Sequence, residues 1–131
     1  MPKPPLPDKL NAFLERPNPA VMATLRSRGA PVTVATWYLW EEGRVLLNLD
    51  ARRKRLQHLR RDPHVSLTVL AERNWYQHVS LHGRVASIAD DAELIDIDRL
   101  SRHYTGHPYG DRKHARVSAW VVVESWHRWR V

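Results

Sequence analysis

A run of alternating residues from position 32 to position 40 constrains the fold of this chain more than any other feature. One face of the extended run holds Val32, Val34, Thr36, Tyr38 and Trp40. Glycine-bearing turns at residues 27–30 and 41–43 join it to shorter strand patterns at residues 20–26 and 45–49. Because short turns connect neighbouring antiparallel strands, residues 20–49 are predicted to form an antiparallel meander.

The remaining residues add three strand patterns and three helix patterns. Strands are predicted at residues 65–70, 75–88 and 117–124, and Gly83 within the second of them indicates a bulge. Helices are predicted at residues 8–16, from Asp50 to the Asp62-Pro63 stop, and from a capping box at residues 90–93 to Tyr104. We therefore predict a mainly β fold with α: a six-stranded antiparallel barrel with peripheral helices. Residues 1–131 are predicted to form one domain, with residues 1–7 as a poorly ordered, proline-rich arm.

The second predicted helix starts with four consecutive cations, Arg52, Arg53, Lys54 and Arg55. Asp50 is the predicted N-cap of this helix. Cations at a helix start face the positive end of the helix dipole, at a cost of about 0.3–1 kcal/mol each when exposed. Free backbone N–H groups point the same way, so an anion bound there would explain the placement. A solvated basic face is the alternative interpretation, and the unfavourable position of the charges favours the anion site.

The overall charge also indicates an acidic partner. The formal net charge is +7 and the isoelectric point is near 10.4, which suits nucleic acid, an anionic membrane surface, or a ligand with phosphate or carboxylate groups. There are no cysteines, which excludes disulfides and thiolate catalysis. No apolar run reaches the length of a signal peptide or a membrane span, so a cytoplasmic protein is expected.

No side-chain pattern indicates a self-sufficient catalytic site. His78 and His82 alternate on one strand face, but no third ligand follows at suitable spacing, so no metal site is predicted. The sequence contains six tryptophans, which packing or interfaces explain for the most part, while one or two could line a groove for a planar ligand. If the protein is an enzyme, a bound cofactor is expected to carry the chemistry.

Several segments together resemble a known protein family. The run ATLRSRGAPVTVATWYLWEEGRVLLNLDARRKRLQHLRRDP is followed by VSLTVL, NWYQHVSLHGRV and RHYTGHPYG. In this order they resemble the pyridoxamine 5′-phosphate oxidase-like split β-barrel superfamily, and more narrowly its flavin/deazaflavin oxidoreductases of the B type, which use coenzyme F420. The likeness extends over residues 20–129. It implies a split β-barrel and a homodimer with cofactor grooves at the subunit interface.

The resemblance also implies which residues hold the cofactor. Its phosphate would be bound by Asn48, Leu49, Arg52, Arg53, Lys54 and Arg55, although the family commonly has lysine where this chain has Arg55. Its rings would lie along Val34, Ala35, Thr36 and Trp37. The partner subunit would contribute Trp75, Tyr76 and His78.

The expected function is hydride transfer from reduced F420 to a small unsaturated or electrophilic substrate, with Tyr38 and His78 as candidate proton donors and no catalytic residue assigned. FMN-dependent oxidase or reductase activity is the alternative within enzymes. A non-catalytic flavin, deazaflavin or nucleic-acid binder is the alternative outside them, and nucleic acid is the less favoured partner.

Overall fold

The computed structural model covers residues 1–131 and shows one antiparallel sheet with three helices. The helices are α1 (Asp8–Leu14), α2 (Lys54–Arg61) and α3 (Ile95–Thr105). The strands are β1 (Ala20–Leu25), β2 (Pro31–Thr36), β3 (Leu39–Glu41), β4 (Arg44–Asp50), β5 (His64–Ala71), β6 (Asn74–Asp90) and β7 (Arg116–Trp129). A short 3₁₀ turn at Ser27–Gly29 connects β1 to β2. None of the helices is long and apolar enough to cross a membrane.

The sheet has seven strands rather than the predicted six, in the order β2-β1-β5-β6-β7-β4-β3. Its two edge strands, β2 and β3, are consecutive in the chain and are separated only by Trp37 and Tyr38. A two-residue link between opposite edges requires the sheet to curl until those edges meet. Because β2 and β3 are not hydrogen-bonded to each other, the curled sheet stays open there, as a split barrel does.

The extra strand arises because the predicted strand at residues 32–40 is interrupted. Residues 31–36 pair with β1, whereas residues 39–41 pair with β4 on the other edge of the sheet. Tyr38 is fully buried at the crossing point, and its hydroxyl donates to the carbonyl oxygen of Leu14 at 2.8 Å. This burial and hydrogen bond remove Tyr38 as a candidate proton donor.

The core fills the inside of the curled sheet and continues under α1. Val117, Ala119, Val121 and Val123 of β7 point inward, and all are buried. Leu10, Phe13 and Leu14 form the buried face of α1. The register between β6 and β7 shifts at Gly83, which confirms the predicted bulge. The proline-rich start contacts this core, because Leu6 is buried in it and the Trp126 amide donates to the Pro2 carbonyl oxygen.

Two predicted helix starts are wrong. The second helix begins at Lys54, and Arg53 occupies the N-cap position without a side-chain hydrogen bond. Asp50 does not cap it, because both carboxylate oxygens of Asp50 bind Arg52 instead. The third helix begins at Ile95, where Asp91 accepts the backbone N–H groups of the next two residues, 96 and 97, in place of a capping box.

Candidate functional site

A cleft of about 620 Å³ opens where the sheet is split. We call it the split cleft. The end of β2 supplies Ala35 and Thr36, the link after it supplies Trp37, and α3 supplies Ile97, Leu100 and Tyr104. Its polar lining includes Asn48, Asp50, Arg53, Arg55, Glu72 and Arg116. The cleft therefore combines apolar and aromatic surface with a concentration of guanidinium groups, which suits a planar ligand that carries an anion.

Three aromatic rings form one wall of the split cleft. The rings of Trp37 and Tyr104 stack with centroids 5.4 Å apart and planes 8° from parallel. Tyr109, from the loop after α3, meets Trp37 edge-on at 6.1 Å. Burial raises the pKa of Tyr104 to about 12, so its hydroxyl stays protonated and donates to the Asn18 carbonyl oxygen at 2.7 Å. This hydrogen bond fixes the ring that supports Trp37.

The cations that the sequence singled out do not all face the cleft. Arg53 and Arg55 line it, whereas the side chain of Arg52 is 66% exposed and forms an ion pair with Asp50 at 2.7 Å. The hydrogen bonds from Arg52 hold the pKa of Asp50 well below its usual range. The charge of Asp50 is thus neutralised by Arg52. Arg53 and Arg55 form no ion pair with a carboxylate.

Arg55 carries an unsatisfied polar atom. Its Nε is fully buried and has no hydrogen-bond partner. Burial lowers the pKa of Arg55, and the positive charges of Arg53 and Arg116 lower it further. The backbone N–H groups of Lys54 and Arg55, at the start of α2, also lack backbone acceptors. A buried donor is normally paired, and free amides at a helix start attract anions. This place, which we call the oxyanion position, is therefore suited to an oxyanion.

A polar network fixes the opposite side of the cleft. Arg116 Nε donates to Asn48 Oδ1 at 2.9 Å, and Arg116 Nη2 donates to the Asn48 carbonyl oxygen at 3.3 Å. Asn48 Nδ2 in turn donates to Asp91 Oδ2 and Ser118 Oγ, each at 3.1 Å. The Arg116 guanidinium also lies over the ring of Tyr109, 5.0 Å from its centroid. Contacts with β4 and with the loop after α3 therefore hold the Arg116 side chain in place.

A second cleft of about 590 Å³ adjoins the first. We call it the basic cleft, and its lining is Arg26, Ser27, Val32, Arg53, Lys54, Arg55 and His58. His58 is buried and its Nδ1 lies 3.1 Å from Thr24 Oγ1. Burial, followed by the charges of nearby Arg61, Arg26 and Lys54, lowers the pKa of His58. Arg53 and Arg55 belong to both clefts, so the basic cleft continues from the oxyanion position.

The structure brings together seven of the predicted site residues: Ala35, Thr36, Trp37, Asn48, Arg53, Lys54 and Arg55. It does not bring the others to either cleft. Val34 packs against the core, Leu49 lies inside it, and Arg52 points to solvent. Trp75, Tyr76 and His78 lie at the start of β6, outside both clefts.

Sequence reasoning missed three residues that shape the split cleft, Tyr104, Tyr109 and Arg116. Tyr104 was predicted only as the end of the third helix. Tyr109 lies in a Gly/Pro loop, and an aromatic residue in such a loop was a usable signal. Arg116 begins β7 and belongs to no local sequence pattern, so only its pairing opposite Asp50 places it in the cleft.

Comparison with known proteins agrees with this architecture. The family model described as pyridoxamine 5′-phosphate oxidase matches residues 6–130. A search of curated proteins found no match.

Among solved structures, an F420 reductase superposes with a TM-score of 0.84 at 25% identity, over 93% of this chain and 98% of that chain. A conserved hypothetical protein from Mycobacterium tuberculosis gives a TM-score of 0.74 at 24% identity, over 97% and 86% of the two chains. A Listeria innocua protein described as a putative pyridoxamine 5′-phosphate oxidase gives 0.72 at 18% identity, over 92% and 95%. The last two share the fold.

Proposed function

Because this chain belongs to the pyridoxamine 5′-phosphate oxidase family, we propose that it is an oxidoreductase that uses reduced coenzyme F420 to reduce a small unsaturated or electrophilic organic substrate. The family and the similarity to an F420 reductase support a flavin-related oxidoreductase. The choice of F420 rests on one further observation, which is that the split cleft and the basic cleft share Arg53 and Arg55.

The residues around Arg55 fit a cofactor phosphate. Arg55 Nε is a buried donor without a partner, and the free amides of Lys54 and Arg55 add two more donors at the start of α2. Charge-assisted hydrogen bonds of this kind are about twice as strong as neutral ones. Burial, followed by the positive charges of Arg53 and Arg116, lowers the pKa of Arg55, and a bound phosphate would offset both effects.

The length of the combined clefts favours F420 over FMN. FMN ends at a single phosphate, which the oxyanion position alone would satisfy. F420 continues past its phosphodiester into a tail of γ-linked glutamates. The basic cleft lies beyond Arg53 and Arg55 and adds Arg26 and Lys54, so its positive charge matches a polyanionic tail.

Residues of this chain would bind and orient the reactants. When bound, F420 supplies hydride from C5 of its deazaflavin. Arg53 and Arg55 would anchor the phosphate, and the stacked rings of Trp37 and Tyr104 would present a rigid apolar wall beside the reacting atoms. No carboxylate or imidazole in the split cleft has the arrangement of a dedicated acid–base pair. Positioning of two reactants is then the main contribution of the protein to the rate.

A second copy of the chain is proposed to complete the groove. Trp75 and Tyr76 are 66% and 55% exposed and stack on each other with centroids 4.4 Å apart. Two large exposed rings at the start of one strand are typical of a contact surface. In this proposal they and His78 contact the cofactor of the partner subunit. Sedimentation of the wild type and of a Trp75→Ser/Tyr76→Ser variant tests this, because the variant should shift towards monomer.

The function is tested by titrating F420 and FMN side by side into the wild type and an Arg53→Ala/Arg55→Ala variant. We expect F420 to bind more tightly than FMN and the variant to lose most of both affinities. The matched control is Arg60→Ala/Arg61→Ala, which removes the same charge from exposed positions of α2 that line neither cleft.

Unchanged binding to the Arg53→Ala/Arg55→Ala variant would refute the oxyanion site. Tighter binding of FMN than of F420 would favour the FMN-dependent alternative. Equal losses in the two double variants would indicate a non-specific charge effect, as for a nucleic-acid binder whose affinity falls steeply with salt.

A further inference from the structure

The Arg116 guanidinium in the split cleft has one edge engaged and one edge free. Asn48 accepts from Nε and from Nη2, which are the two donors on the side of the guanidinium. The remaining donors, both N–H groups of Nη1 and the second one of Nη2, have no hydrogen-bond partner in the chain. None of the ion pairs in the structure includes Arg116. The free edge therefore presents two parallel N–H donors beside the aromatic wall.

The orientation of this edge is fixed by groups behind it. Asn48 Nδ2 donates to Asp91 and Ser118, so Asn48 Oδ1 must face Arg116. Ser118 Oγ donates to Asp96 Oδ2 at 2.7 Å, which ties the network to α3. Preorganised donors lose little entropy when a ligand binds. Two parallel donors in a plane match the two oxygens of a carboxylate. A neutral carbonyl has a single oxygen and would leave one of the two donors without a partner.

We infer that Arg116 binds a carboxylate group through its free edge, and that the substrates of this enzyme are electrophilic molecules bearing a carboxylate. The assignment of this carboxylate to a substrate rests on the proposed function. F420 is a second source of carboxylates, because its tail carries them. The nearby Asp50 does not compete for the edge, since Arg52 engages both of its oxygens. Glu72 also lines the cleft, but it follows β5, a strand that does not pair with β7, to which Arg116 belongs.

The test uses benzoate and its neutral isostere benzamide as probes, with binding measured by calorimetry. In the cofactor-free wild type we expect benzoate to bind roughly tenfold to a hundredfold more tightly than benzamide. Arg116→Gln should abolish this preference. Arg116→Lys keeps the charge without the planar edge and should lose most of it. The control Arg60→Gln, on an exposed position outside both clefts, should retain it in full.

The inference is overturned if the wild type shows no preference, or if both Arg116 variants keep it. If Arg116→Gln does not fold, Arg116→Lys alone decides. A repeat at saturating F420 separates the two sources of the carboxylate. Persistence of the benzoate preference supports a substrate carboxylate, whereas its loss assigns the edge to the cofactor and overturns the substrate class. Failure of F420 to bind would sink the proposed function but leave the Arg116 result in the cofactor-free protein standing.

Discussion

A Cβ atom placed on Gly83 would lie 2.0 Å from the carbonyl oxygen of Val122. Gly83 pairs with Val123, the neighbour of Val122, at a register shift between β6 and β7, and the contact is with backbone, which cannot rotate away. A bulge bends a strand and increases its twist, so the close approach belongs to the architecture of the curled sheet.

Gly83→Ala should therefore destabilise the fold by roughly 3 kcal/mol or more, because β6 and β7 must separate to admit the methyl group. The measurement is urea unfolding followed by circular dichroism. Gly110→Ala serves as control, since a Cβ there meets nothing within 4 Å. Similar unfolding midpoints for the two variants would contradict the backbone contact.

Tyr104→Phe should lower the free energy of unfolding by about 1 kcal/mol. The hydroxyl that it removes donates to the Asn18 carbonyl oxygen and accepts from the Tyr38 amide. The stack with Trp37 remains, so ligand affinity should stay the same. Tyr76→Phe, which removes an exposed hydroxyl, should leave stability unchanged. A loss of affinity without a loss of stability in Tyr104→Phe would mean that the hydroxyl contacts the ligand instead.

The Asp111 carboxylate should make stability depend on acid pH. A hydrogen bond with the side chain of His114, followed by bonds from the amides of Lys113 and His114, lowers the pKa of Asp111 from 3.8 to about 2. A lowered pKa means that the stabilisation is complete above pH 3.8 and is lost as the pH falls towards 2. The difference in unfolding free energy between wild type and Asp111→Asn should shrink over this interval.

Chemical denaturation of both proteins at several acid pH values measures this difference. His114→Ala removes the largest cause and should flatten the dependence. A wild-type advantage that stays constant from pH 4 to pH 2 would show that Asp111 keeps an ordinary pKa.

Removal of charge from the basic cleft should discriminate between cofactors. Arg26→Gln/Lys54→Gln should weaken F420 binding by roughly twofold to tenfold, because two partly screened charge contacts with the tail are lost. FMN, which has no tail, should bind as to the wild type. The measurement is a titration of each cofactor at two salt concentrations. Equal weakening of F420 and FMN would place the phosphate, rather than the tail, in the basic cleft.

The period-two pattern of residues 32–40 predicted the right faces and missed the break in the strand. Inward and outward positions continue in phase through Trp37 and Tyr38, although the hydrogen-bonding partner changes from β1 to β4. Side-chain alternation reports burial and carries no information about which strand is the partner. The alternating pattern therefore could not predict the seventh strand. The bulge at Gly83 could be predicted, because a glycine inside a strand pattern indicates a local irregularity of the backbone.

The candidate site shows the same division between local and long-range information. The basic segment from Arg53 to Arg55 was recognisable because its charges oppose the helix dipole. Arg116 comes 61 positions after Arg55 in the numbering of the chain and reaches the cleft through the pairing of β4 with β7. Asp50 looked like a helix cap, but its two oxygens accept from the backbone and the guanidinium of Arg52, and the helix begins only at Lys54.

Arg53 and Arg55 belong to both clefts, and this has a consequence for how such a protein changes during evolution. In the proposed function, one short segment would contact both halves of an elongated ligand, so a substitution there would alter selectivity for the head group and for the tail together. Divergence towards new ligands is then expected to proceed through residues that belong to one cleft only, such as Trp37 and Arg116 on one side and Arg26 on the other. Arg53 and Arg55 would then stay unchanged, while the selectivity for the head group and the selectivity for the tail change independently of each other.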